Sequence, residues 1–414
     1  MSTSAPAPPA PPRPPAPRRP VLARVLAVAI VALLATLAVV ILNRSTTPTG
    51  TTPAVAAPPL YVSPTGRDTN DGASPATAFA SIQVALEKAT PGTVVNLAPG
   101  VYHEQPTTVR DGAPGAPITI KGPETGTDRA GRYQAVLYGT GRIVSIDHSW
   151  ITLDGFTIDG QEALANEPFP TDLRRADAFK DGVQDRVEDG RLVYVGSDDE
   201  TRDLTGVTVN NMFLHGAGGE CVRLRNNAHG NTVSNSVVEY CGMYGKASDD
   251  GERAEYHNGE GVYIGTSPKS DDQPLAGTDT SSGNVVAHNI IRTFGSECLD
   301  VKENAHDNVF EHNVCSGNAE SVDFEGSNVE LRGYANVVRD NDISDSLGYS
   351  IKIQNDGADY DKGGNAVQDN RLSGAAAATF KIKSSARQGA MCGNTVPGGP
   401  QFEGKALPGV TDPC

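Results

Sequence analysis

The sequence is poor in aromatic residues and in positive charge. Aromatic side chains make up 6% of its 414 residues, with a single tryptophan, so there is no series of rings on which nucleic-acid bases could stack. Lysine and arginine number 34 against 50 aspartates and glutamates, which gives a net charge of −16. Five arginines are the only charges in residues 1–44, so residues 45–414 carry −21. Such an acidic surface repels phosphates, and we expect no nucleic-acid partner.

The first 44 residues lack acidic side chains altogether and divide into two segments. Residues 1–20 hold nine prolines and three arginines, a composition typical of a disordered tail. The uncharged 18-residue run Val25–Leu42 predicts a transmembrane helix over residues 21–43. Four arginines precede this run and one follows it, which places the tail in the cytoplasm and the rest of the chain outside the cell. A cleaved signal peptide is the alternative, although no Ala-x-Ala site directly follows.

Cysteine is absent before position 221, and all six cysteines lie in the second half. Residues 44–58, rich in threonine, proline and alanine, predict a flexible linker to an extracellular domain over residues 59–414. The cysteine spacings suggest three sequential disulfides, although six cysteines allow 15 pairings. The suggested pairs are Cys221–Cys241, Cys298–Cys315 and Cys392–Cys414. Disulfides fit an oxidising extracellular location, and a zinc site is the weaker interpretation because no Cys-x-x-Cys pair is present.

The second half also lacks helical periodicity, but it repeats a short pattern of asparagines and β-branched residues. The six copies begin at Gly206, Asn231, Asn284, Asn308, Asn336 and Asn365, at steps of 25, 53, 24, 28 and 29 residues. Repeats of this length with short apolar runs are typical of a solenoid, and the 53-residue step fits one coil with two insertions. We therefore expect an all-β fold, a right-handed parallel β-helix, with asparagines of successive coils stacked in internal ladders.

A second series of short strands lies between these copies, with alternating apolar and polar residues. The strands are Glu220–Arg225, Glu260–Gly265, Glu297–Lys302, Glu320–Glu325 and Tyr349–Gln354. Because successive side chains of a strand point to opposite faces, stacking these strands predicts rows of outward residues. One predicted row holds Arg223, Tyr263, Asp300, Asp323 and Lys352. The next predicted row holds Arg225, Gly265, Lys302, Glu325 and Gln354.

One amphipathic helix is predicted outside the transmembrane run, over Ala76–Thr90, where it would cap the first coil. The motifs around it are Tyr61-Val-Ser-Pro-Thr-Gly, Asp71-Gly, Phe79-Ala-Ser-Ile and Pro99-Gly-Val-Tyr. Together they closely resemble the N-terminal part of secreted β-helix proteins of the pectate-lyase superfamily. The resemblance covers roughly residues 59–390 and implies the fold of that superfamily.

The outward rows concentrate carboxylates at the centre of the strand series. Carboxylates on neighbouring coils, ~4.8 Å apart, repel each other unless a cation or a basic residue lies between them. Hard oxygen ligands suit Ca²⁺, which we expect as a cofactor. The expected calcium ligands are Glu260, Glu297, Asp300 and Asp323. The expected substrate contacts on the same face are Arg223, Arg225, Tyr263 and His257. Solvated, mutually paired surface charges are the alternative.

Lys302 is the candidate catalytic base. In β-elimination on a uronate, a base removes the proton next to the carboxylate while a positive group stabilises the developing charge. The stretch Glu297–Lys302 resembles the strand that carries a calcium-binding glutamate and the lysine base in the chondroitinase B and alginate lyase family. The resemblance implies the same roles for Glu297 and Lys302.

Two positions depart from the pattern of that family. The family's catalytic arginine lies in a Phe-Arg-His-Gly motif, and the corresponding stretch here carries Glu325 in its place. Arg332 is the nearest arginine and the candidate substitute. A second calcium-binding glutamate of the family corresponds to Gly295, and Glu260 on the preceding coil could replace it.

Three insertions could form the sides of a binding site on the outward face, or they could be solvated loops. They span residues 161–190, 245–257 and 266–282. The favoured function is a calcium-dependent lyase that acts, as a monomer, on an acidic polysaccharide. A non-catalytic carbohydrate-binding or adhesion protein is the first alternative. A glycoside hydrolase is the second, with carboxylates about 5–9.5 Å apart that Asp300, Asp323 and Glu325 could supply. An epimerase would share the proton-abstraction step.

Overall fold

The computed structural model describes residues 57–123, 132–199, 202–245, 259–270, 272–320 and 325–414. Within these ranges, parallel strands from successive turns of the chain form three long sheets, which confirms the predicted β-solenoid. The predicted tail, the predicted transmembrane helix over residues 21–43 and nearly all of the linker over residues 44–58 lie outside the described residues. None of the helices within the described ranges has the length and apolar content that crossing a bilayer requires.

The chain passes in order through three sheets, which we name A, B and C. Sheet A has eleven strands: Leu60–Val62, Val94–Leu97, Ile118–Lys121, Ile151–Asp154, Thr208–Asn210, Thr232–Ser234, Val285–Ala287, Val309–Glu311, Val337–Arg339, Ala366–Gln368 and Met391–Cys392. Sheet B has nine: Gly100–His103, Ala135–Tyr138, Thr157–Asp159, Phe213–His215, Val237–Glu239, Ile290–Arg292, Val314–Asn318, Asp342–Ser346 and Arg371–Leu372.

Sheet C contains four of the five strands of the second predicted series. Its nine strands are Gly141–Ile146, Gly190–Val195, Val222–Leu224, Val262–Ile264, Leu299–Val301, Ser327–Leu331, Tyr349–Ile353, Ala378–Ile382 and Phe402–Gly404. A short additional sheet pairs Leu204–Thr205 with Ala228–His229. Inward residues of all three long sheets form one continuous apolar core along the solenoid.

The predicted asparagine ladders are confirmed. In one ladder the side-chain amide of Asn313 donates to Asn341 Oδ1 at 3.1 Å, and Asn341 donates to Asn370 Oδ1 at 2.9 Å. The same amides donate to backbone carbonyls, such as that of Val286 at 2.9 Å from Asn313. These side chains are buried, so the ladders satisfy backbone groups at the turns between sheets A and B.

The N-terminal cap is shorter than predicted. The helix α1 spans Ile82–Lys88, and only a 3₁₀ turn, Pro75–Thr77, precedes it. The residues between are extended because Phe79 forms a parallel bridge with Val62 and is fully buried. Ser81 begins the helix, since its Oγ accepts a hydrogen bond from Val84 N at 3.3 Å.

The insertion over residues 161–190 forms several short helical elements. It contains the helix α2, Ala176–Val183, and the 3₁₀ turns Glu162–Leu164, Leu173–Arg175 and Gln184–Arg186. A further 3₁₀ turn, Ala358–Tyr360, lies elsewhere. Residues of the insertion form a second small apolar core with the turns that follow sheet B, including Tyr240, Met243 and Phe294. The three predicted disulfides are all formed.

Candidate functional site

The outward face of sheet C gathers most of the predicted site residues into one row. Arg223 pairs in register with Tyr263, and Tyr263 pairs with Asp300. Asp300 then pairs with Glu330, and Glu330 with Lys352. Strand alternation turns these side chains away from the core, since their neighbours in sequence are inward valines, leucines and isoleucines.

The predicted position of one strand in this row is wrong. The strand after Leu299–Val301 is Ser327–Leu331 rather than Glu320–Glu325, so Glu330 occupies the register position expected for Asp323. Both segments alternate apolar and polar residues, but Val329 and Leu331 fill the core between the neighbouring strands. Asp323 itself lies outside the described residues, as does His257.

The same shift brings Arg332 beside Lys302. Each residue directly follows its strand, and the preceding residues Val301 and Leu331 pair in register. Glu325 was expected in the same row as Lys302. Its carboxylate instead lies 2.6 Å from Lys383 Nζ. The structure therefore places the predicted lysine and the candidate arginine on neighbouring coils.

Three of the predicted calcium ligands converge. Glu260, Glu297 and Asp300 each offer a carboxylate oxygen, and these oxygens all lie within 4.8 Å of one another. All three side chains are buried. Glu260 Oε2 and Asp300 Oδ1 have no hydrogen-bond partner, which is costly for buried carboxylates.

Burial and mutual repulsion make these carboxyls hard to ionise. Burial first, and then the charge of Glu220, raises the pKa of Glu260 to about 8. Burial and the neighbouring Glu320 raise the pKa of Glu297 well above its usual range. Burial also raises the pKa of Asp300, against the opposing effect of Lys302. A bound cation would offset the charge that burial disfavours, so the donor set fits a hard divalent ion.

The local backbone explains why the ligand set differs from the sequence pattern. A side chain at Gly295 would overlap the carbonyl oxygen of Cys241 and lie 2.7 Å from that of Gly259. A glutamate at position 295 would therefore require the surrounding backbone to shift. Glu260, which follows Gly259 on the neighbouring coil, supplies a carboxylate to the cluster instead.

Lys302 is buried and forms an ion pair with the outer oxygen Oδ2 of Asp300. Its ammonium also lies 4.7 Å from the ring centroid of Tyr263. Burial lowers the pKa of Lys302, but Asp300, Tyr263 and Glu260 together raise it by more, and the net pKa is well above the usual range. In this arrangement the lysine is protonated.

Arg332 is held by carboxylates that the sequence analysis did not single out. Its Nε lies 2.7 Å from Glu330, and its Nη1 lies 3.0 Å from Asp356 and 3.8 Å from Glu303. Glu303 is fully buried, and neither of its carboxylate oxygens has a hydrogen-bond partner. Burial raises the pKa of Glu303 to about 7, although Arg332 opposes the shift. No repeat pattern marks Glu303 or Asp356, because both lie in turns.

Three of the four predicted substrate contacts, Arg223, Arg225 and Tyr263, lie on the N-terminal side of this cluster and are largely covered. Arg223 pairs with the buried Glu220, which also accepts a hydrogen bond from Arg191 Nε at 2.7 Å. Arg225 is buried and donates to Gln273 Oε1 at 2.8 Å. Their guanidinium groups lie 4.8 and 5.9 Å from the ring centroid of Tyr263.

Comparison with known proteins gives one partial sequence match and several structural matches. No family model matches the chain. The uncharacterized protein YwoF of Bacillus subtilis is 28% identical over 194 residues, which is 43% of this chain and 41% of that protein. The match thus spans less than half of that relative.

Two solved structures share the fold over most of the chain. An alginate lyase from Paenibacillus sp. str. FPU-7 superposes with a TM-score of 0.58 at 20% identity, over 78% of this chain and 95% of that one. The pectate lyase Pel9A superposes with a TM-score of 0.51 at 14% identity, over 82% and 80%. The chain therefore shares the parallel β-helix fold of these two structures.

Proposed function

We propose that this protein is a calcium-dependent polysaccharide lyase that cleaves an acidic polysaccharide by β-elimination at a uronate. The observation that carries the proposal is the convergence of Glu260, Glu297 and Asp300 beside Lys302 and Arg332 on one face of sheet C. Carboxylates of this kind would hold the cation. Lys302 forms an ion pair with Asp300, which is one of these carboxylates.

The residues of the cluster would have different roles in the elimination reaction. When bound, a calcium ion would supply a positive charge that attracts the uronate carboxylate and offsets the negative charge developing there. Lys302 would take the proton from the carbon next to that carboxylate. The electron pair left by the proton forms a carbon–carbon double bond, the glycosidic carbon–oxygen bond breaks, and the leaving oxygen takes up a proton.

Lys302 can act as a base only in its neutral form. Its ion pair with Asp300 must therefore open before proton transfer, and it would open if Asp300 served as a cation ligand. Arg332 on the next coil then favours the neutral amine, since a nearby positive charge lowers the pKa of Lys302. We propose this positioning role for Arg332, and substrate binding for Arg223, Arg225, Tyr263 and His257.

The proposed location of the reaction rests on the sequence of the first 58 residues. We propose that residues 21–43 anchor the protein in the membrane, with residues 1–20 in the cytoplasm and the β-helix at the cell surface. The acidic domain would need bridging cations to approach a polyanionic chain closely, which is consistent with a calcium-dependent contact. We propose that the protein acts as a monomer.

The test is a turnover assay on the full chain, purified in mild detergent. The chain is incubated with a panel of uronate polysaccharides, with calcium or with chelator, and the ultraviolet absorbance of the unsaturated product is recorded. We expect calcium-dependent absorbance that falls at least about a hundredfold in Lys302→Ala, the scale of a lost general base. Lys405→Ala, which removes an exposed lysine elsewhere, should retain activity.

Other outcomes would point to the alternative functions. New reducing ends without absorbance would indicate a glycoside hydrolase. One observation favours that second candidate: the pKa of Glu303 is raised to about 7 while that of Glu330 is lowered to about 2, a separation typical of an acid and a base. Binding without any turnover would indicate a carbohydrate-binding protein.

A further inference from the structure

The outward face of sheet C is almost closed to solvent. Tyr263, Asp300, Glu330 and Lys352 in the row described above are each at most 4% exposed, and Lys302 beside them is 8% exposed. A polysaccharide chain cannot contact side chains that are covered to this extent. Since the proposed catalytic cluster lies on this face, part of the cover must move before a substrate reaches Lys302.

The insertion over residues 266–282 leaves sheet C directly beside Lys302. It follows Gly265, where an added methyl group would lie 3.3 Å from Lys302 Cβ. We call residues 267–278 the strap, and the structure describes all of them except position 271. The strap therefore starts next to the candidate base.

Both ends of the strap are fixed by one buried carboxylate. Asp279, at one end, is 1% exposed and accepts a hydrogen bond from Thr266 Oγ1, at the other end, at 2.8 Å. It also accepts hydrogen bonds from the backbone N–H groups of Asn226 and Asn227 on the preceding coil, at 2.7 and 3.0 Å. Compact surface loops typically have ends that lie close together in this way. The base of the strap is therefore tied to the solenoid.

The tip of the strap is held less firmly than its base. In the described part of the chain, three hydrogen bonds link the strap to other coils, namely Arg225 with Gln273, Asn304 with the carbonyl oxygen of Gly277, and Lys269 with Asp356. The side chain of Lys269 is 73% exposed, so water competes for its ion pair with Asp356. The strap can therefore lift at its tip while its base stays in place.

The strap crosses the edge of sheet C that carries Lys302 and Arg332. The residues that hold its tip, Arg225 and Asp356, follow strands that are four coil steps apart, which is ~19 Å. Lys302 and Arg332 follow two of the strands between them. Asp356 Oδ1 accepts both from Lys269 Nζ at 2.9 Å and from Arg332 Nη1 at 3.0 Å. Movement of the strap therefore changes the surroundings of Arg332.

We propose that the strap is a lid on the proposed catalytic site, which is fixed at Asp279 and opens at its tip before a polysaccharide enters. In the closed state the strap covers the edge with Lys302, and Asp356 lies between Lys269 and Arg332. Opening exposes this edge and removes Lys269 from Asp356. The inference rests on the proposed function, since it concerns access to the same face of sheet C.

The test uses Lys302→Cys in the full chain, purified in mild detergent. All six native cysteines are in disulfides, so the new thiol is the only one in the chain. Its rate of reaction with N-ethylmaleimide measures how often the edge is open. Lys269→Ala/Gln273→Ala removes two of the three contacts at the tip. The matched control Gln401→Ala/Lys405→Ala removes the same two residue types from exposed positions near the C-terminus.

We expect the strap variant to raise the labelling rate at least about tenfold, because it loses an ion pair and a hydrogen bond to a charged group that hold the lid closed. The control should not change the rate. Hydrogen exchange of residues 267–278 in the chain with native Lys302 should show the same difference between the variants, which controls for an effect of the new cysteine.

Two results would overturn the lid. One is an equal labelling rate in the two double variants, and the other is a Lys302→Cys rate as high as that of the exposed Lys405→Cys. Neither measurement requires turnover. If labelling depends on the strap but no polysaccharide is cleaved, only the lyase proposal fails. If a polysaccharide is cleaved but labelling does not depend on the strap, only the lid fails.

Discussion

At the scale of single residues, the set of carboxylates in the site depends on backbone atoms that crowd position 295. Gly295 is tightly surrounded by the carbonyl oxygens of Cys241 and Gly259, so the carboxylate cluster recruits Glu260 from the neighbouring coil. The sequence suggested this replacement, because Glu260 stands one coil before Glu297. The crowding of position 295 by backbone was not visible in the sequence, because the close neighbours are remote in sequence.

This crowding predicts opposite effects for two glycine substitutions. Gly295→Ala should lower the free energy of unfolding by about 1–3 kcal/mol, since the new methyl group overlaps backbone that cannot move freely. Gly182→Ala should raise it by up to about 1 kcal/mol, because Gly182 lies within α2 and nothing surrounds it. Denaturant unfolding of both variants measures the two values, and a neutral Gly295→Ala would contradict the packing argument.

At the scale of elements, the asparagine ladders tie successive coils together. Each ladder amide spans two coils and also bonds the backbone at the turn after sheet A, so one side chain satisfies several buried groups. The pattern was visible in the sequence because the asparagines recur at one position of every coil. The extent of α1 was not, since the helical pattern over Ala76–Thr90 ignores the bridge between Phe79 and Val62.

Removing one ladder residue should therefore be costly. Asn313→Ala leaves the backbone N–H of Asn289 and the carbonyl of Val286 without their partners inside the core. We expect a loss of about 2–4 kcal/mol in the free energy of unfolding, given ~1–3 kcal/mol for each buried group left unpaired. Arg371→Ala, which breaks an exposed pair with Asp342, should change it by less than about 0.5 kcal/mol. Chemical denaturation compares the two, and similar losses would refute the role of the ladder.

At the scale of the whole molecule, the carboxylate cluster should couple stability to calcium and to pH. The folded-state pKa of Glu260 is about 8, above the value of 4.5 for an unfolded glutamate, so the folded state holds a proton that the unfolded state releases. In chelator, the contribution of Glu260 to stability should be complete below about pH 4.5 and decline as the pH rises towards 8. Calcium should reverse the decline by binding the ionised folded form.

The measurement is the melting temperature of the full chain at pH 5 and pH 8, with calcium or with chelator. Glu260→Gln, which keeps the side-chain shape without the charge, should reduce both the pH effect and the calcium effect. Glu311→Gln, on the outer face of sheet A, is the matched control and should alter neither. A calcium-induced rise in melting temperature that persists in Glu260→Gln would exclude this residue as a ligand.

The sequence by itself determined the solenoid, the three disulfides, the ladders and the identity of three clustered carboxylates. These features depend on spacing along the chain, since alternation of period two and one asparagine per turn repeat in every coil. Only the tertiary structure decided which of two alternating segments, Glu320–Glu325 or Ser327–Leu331, pairs with the strand before it. Core packing made that choice, and it set Glu330 and Arg332 in the site. The same holds for Glu303 and Asp356, because their partners come from turns and an insertion that no repeat connects.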